Sequence, residues 1–377
     1  MKIQMVDLVG QYKNIKAEVD SAIQEVINNA AFINGPAVKE FAQNLALYNS
    51  CNFAIPCANG TDALQITMMT LGLQPGDEVI VPVHTYVATA EAIALLRLKP
   101  VFVDVDERLF TIDVNQIESK VTAKTKAIVP VHLYGQCADM EAILNIAQKY
   151  NLYVIEDTAQ AIGAEYTFSD GSVKKAGTMG HIGCTSFFPS KNLGCYGDGG
   201  AMLINEEALA NRARMIASHG QSIKYHHDII GCNSRLDTIQ ASILNVKLPH
   251  LDEYNESRKM VADKYNEAFS DIEAIHTPAV APYSTHVYHQ YTIKVLGMDR
   301  DQLKNKLHDA SVPSMIYYPV PLHLQKAYYN DAFPKGAFPV TEQLSNSVLS
   351  LPIHTEMKDE EQTFIINSVI NSIESQA

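Results

Sequence analysis

The six cysteines stand at 51, 57, 137, 184, 195 and 232, and no two of them form the close pair that a zinc site or a dithiol redox motif requires. They read as buried thiols of a chain kept in a reducing compartment. Long apolar runs are missing too. No uninterrupted stretch reaches the ~18 residues of a membrane span, and the opening Met1-Lys2-Ile3-Gln4-Met5-Val6-Asp7 lacks the apolar core of a signal peptide. A cytoplasmic protein is expected. Positive charge is in deficit, with 29 Lys and Arg against 42 Asp and Glu and a net charge of −13. That balance argues against duplex DNA or an anionic membrane surface as the main partner, so a bound phosphate has to be held by local geometry. There is no internal repeat, low-complexity tract or charge block, hence no flexible tether.

What is present is an ordinary globular composition, 47% hydrophobic and 19% charged over 377 residues, long enough for a large cofactor domain and a smaller one. Ile15, Val19, Ile23, Val26 and Ile27 recur at helical spacing across residues 13–30, and a second helix is expected from Pro36 to about Ser50, with proline in its first turn. β-rich runs then follow at 53–55, 78–81, 100–105, 127–130, 152–155, 184–188 and 201–204. Helical patterns at 62–71, 88–96 and 140–150 lie between them, and this βαβ rhythm implies a mainly parallel sheet. From Leu236 to Tyr265 the pattern turns long and helical, with a kink expected at Pro249-His250-Leu251. The division expected is an α/β domain over residues 1–248, with a mixed, mainly parallel sheet, and a smaller α+β domain over 249–377.

Three segments carry chemistry. In SFFPSKNLGCYGDGGAM (186–202), Lys191 follows a short strand and precedes Gly194, Gly197, Gly199 and Gly200. Glycines allow close backbone approach to a ligand, and Ser186 and Ser190 offer hydroxyls to a phosphate. The lysine precedes the glycines, so this is not a nucleotide P-loop, and a nucleophilic amine fits better. In VIEDTAQAIGA (154–164), an apolar strand runs into Glu156-Asp157 at the edge where ligands bind in such sheets. Asp157 can hold the protonated ring nitrogen of pyridoxal phosphate. Glu156 should face the other side of the sheet, while Gln160 can reach a ring oxygen. In CANGTDALQI (57–66), a Gly-Thr turn opens a helix whose free N–H groups suit a phosphate.

Together, and with HTYVATAEAI (84–93), VHLYGQCADM (131–140), GCNSRLDTIQASIL (231–244) and YYPVPLHLQ (317–325), these segments resemble the DegT/StrS sugar aminotransferases of fold-type I. The resemblance runs nearly end to end. It implies pyridoxal 5'-phosphate bound covalently through Lys191, with Asp157 on the pyridine nitrogen and Gln160 on the ring hydroxyl. Gly60, Thr61, Asp62 and Ser186 fall around the phosphate, and Tyr86 lies over one ring face. It further implies a homodimer with shared active sites, Asn233 reaching a phosphate in the partner. L-glutamate would donate the amino group to a nucleotide-linked keto-sugar. HGQSIKYHH (219–227) and NSRLDTIQ look closest to the branch that aminates carbon 3, with a UDP-linked 2-acetamido-3-oxo-uronate of surface polysaccharide synthesis as the substrate expected. A dTDP-3-oxo-6-deoxyhexose is the alternative, and a non-catalytic sugar-binding regulator of the same fold is the other. Arg235 or a histidine such as His227 would then meet a carboxylate. Where the related enzymes often carry His before Tyr-Pro, this chain has Tyr317 before Tyr318-Pro319, so a substrate contact there is expected to differ.

Each residue also has a plainer reading. Asp157 suits a helix cap or ion pair, Thr61 and Asp62 suit simple caps, and Tyr86 suits core packing. The histidines at 219, 226 and 227 suit a surface, and Arg235 an ion pair at a subunit interface. No metal is expected.

Overall fold

In the computed structural model, which describes residues 3–374, helices α1 (Leu8–Asn14), α2 (Lys16–Asn28) and α3 (Pro36–Asn49) precede strand β1 (Phe53–Cys57). Next come α4 (Gly60–Thr70), β2 (Glu78–Pro82), α5 (Ala88–Leu95), β3 (Lys99–Val103), the short α6 (Val114–Ile117), β4 (Thr125–Ile128), α7 (Met140–Tyr150) and β5 (Tyr153–Asp157). A hairpin of β6 (Glu165–Thr167) and β7 (Val173–Lys175) leads to β8 (Ile182–Ser186) and β9 (Gly200–Ile204). Beyond them lie α8 (Glu207–Ala217), the small β10 (Gln221–Ile223) and β11 (His226–His227), α9 (Thr238–Lys247) and α10 (Leu251–Phe269). The chain continues through β12 (Ile275–His276), β13 (Tyr291–Val295), α11 (Arg300–Asp309), α12 (Pro339–Ser347), β14 (Val348–Leu351) and α13 (Asp359–Glu374).

The main sheet has seven strands in the order β1-β9-β8-β5-β4-β2-β3. Only β9 runs against the rest, since both its partners pair antiparallel with it while the other pairs are parallel. This is the mixed, mainly parallel sheet that the βαβ rhythm implies. Strands β2 and β9 are buried at every position, as uninterrupted Val/Ile/Leu-rich runs must be when helices cover both faces. On one face Ala63, Ile66 and Met68 of α4 and Ile93 of α5 join Ile155, Ile182 and Met202 of the strands. On the other, Met140, Ile143 and Ala147 of α7 join Ile80, Ile128 and Val154. A separate core forms where α10, α11 and α13 cover the antiparallel β12-β13-β14 sheet, through Tyr265, Tyr291, Leu303 and Ile365.

Two expectations shift. The single helix over 13–30 is two, because Ile15 leaves the helical region at φ −113° and ψ 16°, its N–H turning back to the Tyr12 carbonyl. Its side chain is buried against Val19 and Ile243, so packing overrides a periodicity that reads through the break. The strand expected at 184–188 ends instead at Ser186. Phe187 bonds back to the Gly199 carbonyl at 2.8 Å and buries its ring against Phe41, so Ser186, not Phe188, stands at the strand's C-terminal end. The kink near Pro249 is present as a 3-10 turn over Leu248–His250 between α9 and α10.

Candidate active site

The site is built at the C-terminal ends of β5 and β8, where side-chain alternation sends neighbouring residues to opposite faces of the sheet. Glu156 points toward the α7 side, fully buried, and accepts hydrogen bonds from the N–H groups of Gly177 (2.8 Å), Met179 (2.7 Å) and Gly180 (2.6 Å). His132 completes that set. Its Nδ1 accepts from the Ala138 N–H, so Nε2 carries the proton and donates to Glu156 at 2.9 Å. Glu156 is thus a structural anchor with its lone pairs spent.

Asp157 faces the α4 and α5 side and is 6% exposed. It accepts from Thr89 Oγ1 at 2.8 Å and from the Ala159 N–H at 3.2 Å. Among the described residues no cation stands within ion-pair distance of it, and burial raises its proton affinity above that of an ordinary carboxyl, against the opposing pull of Thr89, Ala159, Lys191 and His132. Burying a carboxylate without a cation in contact costs several kcal/mol. A cationic group brought to its open lone pairs would offset that cost.

Lys191 lies in the loop after β8, held by its own N–H to the Phe188 carbonyl at 2.8 Å. Its amine makes no hydrogen bond to any described residue. Burial pushes it down to about 8, partly countered by the negative charge of Asp157. An amine so lowered has a far larger neutral fraction near neutrality than an ordinary lysine, and the neutral amine is the state that attacks a carbonyl.

Ser186, two residues past Cys184 on the same face, lies against the start of α4. A Cβ on Gly60 would stand 2.7 Å from Ser186 Cβ, so only glycine lets the helix come this close. Gly200 adds to the constraint, since a Cβ there would meet the Asn59 backbone at 2.4 Å. The helix is capped by Asn59, whose side chain accepts from the Asp62 N–H at 2.8 Å, while Ala63 bonds to the Asn59 carbonyl. Thr61 and Asp62 are therefore first-turn residues and not the cap. The N–H groups of Gly60 and Thr61 have no partner among the described residues, leaving a helix N-terminus open beside the Ser186 hydroxyl.

Above this floor, Gln160 spends its carbonyl on the Tyr134 N–H at 2.8 Å and one amide hydrogen on the Tyr318 hydroxyl at 3.1 Å. Tyr134 adopts φ +60°, a left-handed backbone held on one side by Gln160 and on the other by the Gln290 N–H on its carbonyl. Its hydroxyl donates to the Tyr317 carbonyl and meets His84. Tyr86 is 56% exposed, so it is not core packing, and its ring stands 6.0 Å from that of Tyr318.

The structure thus brings together Lys191, Asp157, Gln160, Ser186, Gly60, Thr61, Tyr86 and Tyr318. Asn233, Arg235 and His227 make no hydrogen bond, ion pair or ring contact with that group. Asn233 is exposed. His227 is exposed as well, its Nδ1 donating to the His219 carbonyl at 2.8 Å. Arg235 lines a separate cavity of about 710 Å³ with Lys39, Arg214 and Lys224, and its buried Nε lacks a partner. Ser234, between them, is buried and accepts from the Ala58 N–H at 3.1 Å, tying this segment to the phosphate-type turn. Thr89 and Tyr134 were not singled out from the sequence. Both lie in segments that matched as blocks, but neither periodicity nor spacing shows that a threonine on α5 meets the β5 carboxylate.

With that geometry in place, the family model of the DegT/DnrJ/EryC1/StrS aminotransferases matches residues 13–370. A UDP-2-acetamido-2-deoxy-3-oxo-D-glucuronate aminotransferase from Pseudomonas aeruginosa is 46% identical, over 93% of this chain and 95% of its own. A protein of Geobacillus stearothermophilus named a pleiotropic regulatory protein is 44% identical, over 98% of each chain. A UDP-N-acetyl-3-dehydro-α-D-glucosamine 3-aminotransferase from Acidithiobacillus ferrooxidans is 43% identical, over 95% of each. Among solved structures, DesV of S. venezuelae superposes with a TM-score of 0.94 at 37% identity, over 98% of each chain. NtdA from Bacillus subtilis, with bound pyridoxamine phosphate, superposes with a TM-score of 0.89 at 33% identity, over 96% of this chain and 82% of its own. The chain belongs to this family of pyridoxal-phosphate-dependent aminotransferases. Its residues fit the cofactor: an uncommitted amine, a buried carboxylate without a cation, and a helix N-terminus that no Cβ obstructs. Among the described residues no helix is long and apolar enough to cross a membrane.

Proposed function

We propose that the chain moves an amino group from L-glutamate to carbon 3 of a UDP-linked 2-acetamido-3-oxo-uronate, with Lys191 and Asp157 as its catalytic residues. The observation that carries this reading is the uncommitted, desolvated Lys191 amine beside the buried Asp157 carboxylate. Pyridoxal phosphate, when bound, supplies an aldehyde for covalent capture of amines and a ring that withdraws electrons. Lys191 Nζ is the group that would hold the cofactor, and the same amine, brought down to about 8 by burial, would move the proton at the substrate carbon. Asp157, oriented by Thr89 Oγ1, keeps the ring nitrogen protonated. The Gly60 and Thr61 N–H groups and the Ser186 hydroxyl hold the phosphate, with Asp62 behind them in the same helix turn. Tyr86 would cover one face of the ring, and the remaining amide hydrogen of Gln160 would be the donor for its hydroxyl.

The segment 219–235, exposed throughout 222–228 and again at Asn233, serves the site of a second copy of the chain in a homodimer. Asn233 reaches the cofactor phosphate there, and Arg235, with its unpartnered Nε, or His227 meets the carboxylate of the uronate. Tyr317 and Tyr318 line the sugar side. The UDP-linked uronate is favoured because the relatives named for UDP-sugars are 46% and 43% identical. The transaminase of S. venezuelae named for a dTDP-linked sugar is 37% identical. Synthesis of a surface polysaccharide in the cytoplasm is the setting this substrate implies.

The test is an absorbance titration of the purified protein with pyridoxal phosphate, then L-glutamate, then a panel of UDP- and dTDP-linked 3-keto-sugars. A band that glutamate removes and a UDP-3-keto-uronate restores supports the proposal. Restoration only by a dTDP-3-keto-6-deoxyhexose replaces the substrate, and a band that glutamate leaves unchanged points to a binding protein without turnover.

A further inference from the structure

A second lysine faces the Lys191 loop from behind. Lys247, in the last turn of α9, is 1% exposed. Its Nζ donates to the Gly194 carbonyl at 2.8 Å and stands 4.6 Å from the centre of the Tyr196 ring. No carboxylate of the described residues pairs with it, and burial pushes its amine down to about 8. A buried lysine held by one carbonyl and one ring is a poor way to gain stability, because a methionine of similar shape would fill the same space without desolvating an amine. What methionine cannot do is donate a hydrogen bond to that carbonyl.

Gly194 lies three residues after Lys191. The loop is closed on itself by the Cys195 N–H to the Phe187 carbonyl at 2.9 Å, and a Cβ on Gly194 would meet the Pro189 carbonyl at 2.4 Å. It has two outside attachments. Asn192 donates to Asn255 Oδ1 and to the Val287 carbonyl. On the opposite side α9 supplies both Lys247 and Gln240, the latter accepting from the Tyr196 N–H at 2.8 Å. Without Lys247 the buried Gly194 carbonyl loses its donor, and the peptide can regain one only by turning. That rotation displaces the turn carrying Lys191.

Resting on the reading of Lys191 as the cofactor lysine, we propose that Lys247 is a positioning residue for it: through the Gly194 carbonyl, it fixes the backbone from which the Lys191 amine works. Both half-reactions use the same amine, so both depend on Lys247. Substrate binding, which uses other surfaces, does not.

The experiment compares the full-length protein with Lys247→Met in two measurements. Hydrogen exchange on the cofactor-free protein should show amides 192–196 exchanging about tenfold faster in the variant, with β1 and β9 unchanged. In the cofactor-loaded protein, kcat per cofactor-bound chain should fall about tenfold or more with glutamate and with keto-sugar alike, while each KM stays within about twofold. Gln240→Leu, which removes the neighbouring tether, should give the same pattern more weakly, and it serves as the test if Lys247→Met does not fold. A lower melting temperature with unchanged kcat and unchanged exchange at 192–196 would overturn the proposal. If the wild-type protein captures no pyridoxal phosphate, the assignment of Lys191 fails, and exchange in the cofactor-free protein still decides whether Lys247 fixes the loop.

Discussion

The cleft at the ends of β5 and β8 and the segment 219–235 treat their polar atoms in opposite ways. In the cleft nearly every group is assigned within the chain: Glu156 to three N–H groups and His132, Gln160 to Tyr134 and Tyr318, and Asp157 to Thr89. What is left free is the amine of Lys191 and, at the start of α4, the N–H groups of Gly60 and Thr61. In the segment, Asn233 and His227 face outward and the Arg235 Nε is buried without a partner. The cleft is preorganised by one copy of the chain, as a site that must hold reacting atoms in place has to be. The segment carries polar groups that reach none of the cleft residues of their own chain, which is why we propose that they serve a second copy.

The comparison breaks most sharply at Lys191. Lys191→Ala should abolish the absorbance band of the lysine-bound cofactor and lower transamination by about 10⁴-fold; full turnover in this variant would remove the central claim. Asp157→Ala should retain part of its cofactor yet lose about 10²- to 10³-fold in kcat, because a preorganised charge at the ring nitrogen is gone. Activity near the wild-type level would return Asp157 to a structural ion-pair role.

Changes in the segment should act on substrate and spare the cofactor. Arg235→Met should raise KM for a UDP-3-keto-uronate by about thirtyfold and leave the glutamate half-reaction within about twofold. An equal loss with glutamate would move the arginine to the donor carboxylate. The smallest effect concerns pH. Burial lowers the Lys191 amine from its ordinary value to about 8, so in the cofactor-free protein it is protonated below that pH and neutral above it. The rate of covalent capture of pyridoxal phosphate, followed by stopped-flow absorbance, should rise about tenfold per pH unit below 8 and level off above it. A rise continuing to pH 10 would mean that Lys191 is not desolvated.

The same contrast explains what could be read from the sequence. The parallel sheet was legible because βαβ rhythm and apolar runs are local signals, and so was the placing of Asp157 and Glu156 on opposite faces, which follows from strand alternation alone. Lys191, Gly60 and Ser186 were legible as a group because glycine and hydroxyl placement around one lysine is a local pattern and the family resemblance fixes the order of the segments. Thr89, Tyr134 and Lys247 were not. Each acts on a residue at least 50 positions away or across an element boundary, as Lys247 does on Gly194, and no periodicity encodes which carbonyl a buried amine will meet. The break at Ile15 escaped for the reverse reason, since local periodicity continued through a point where burial decides the backbone.

The most direct test is to reduce the cofactor-loaded protein with borohydride, digest it, and find by mass spectrometry which lysine carries the pyridoxyl group. The account predicts label on Lys191 and none on Lys247, whose amine is committed to the Gly194 carbonyl. Label on Lys247 or another lysine, or none at all, would contradict it.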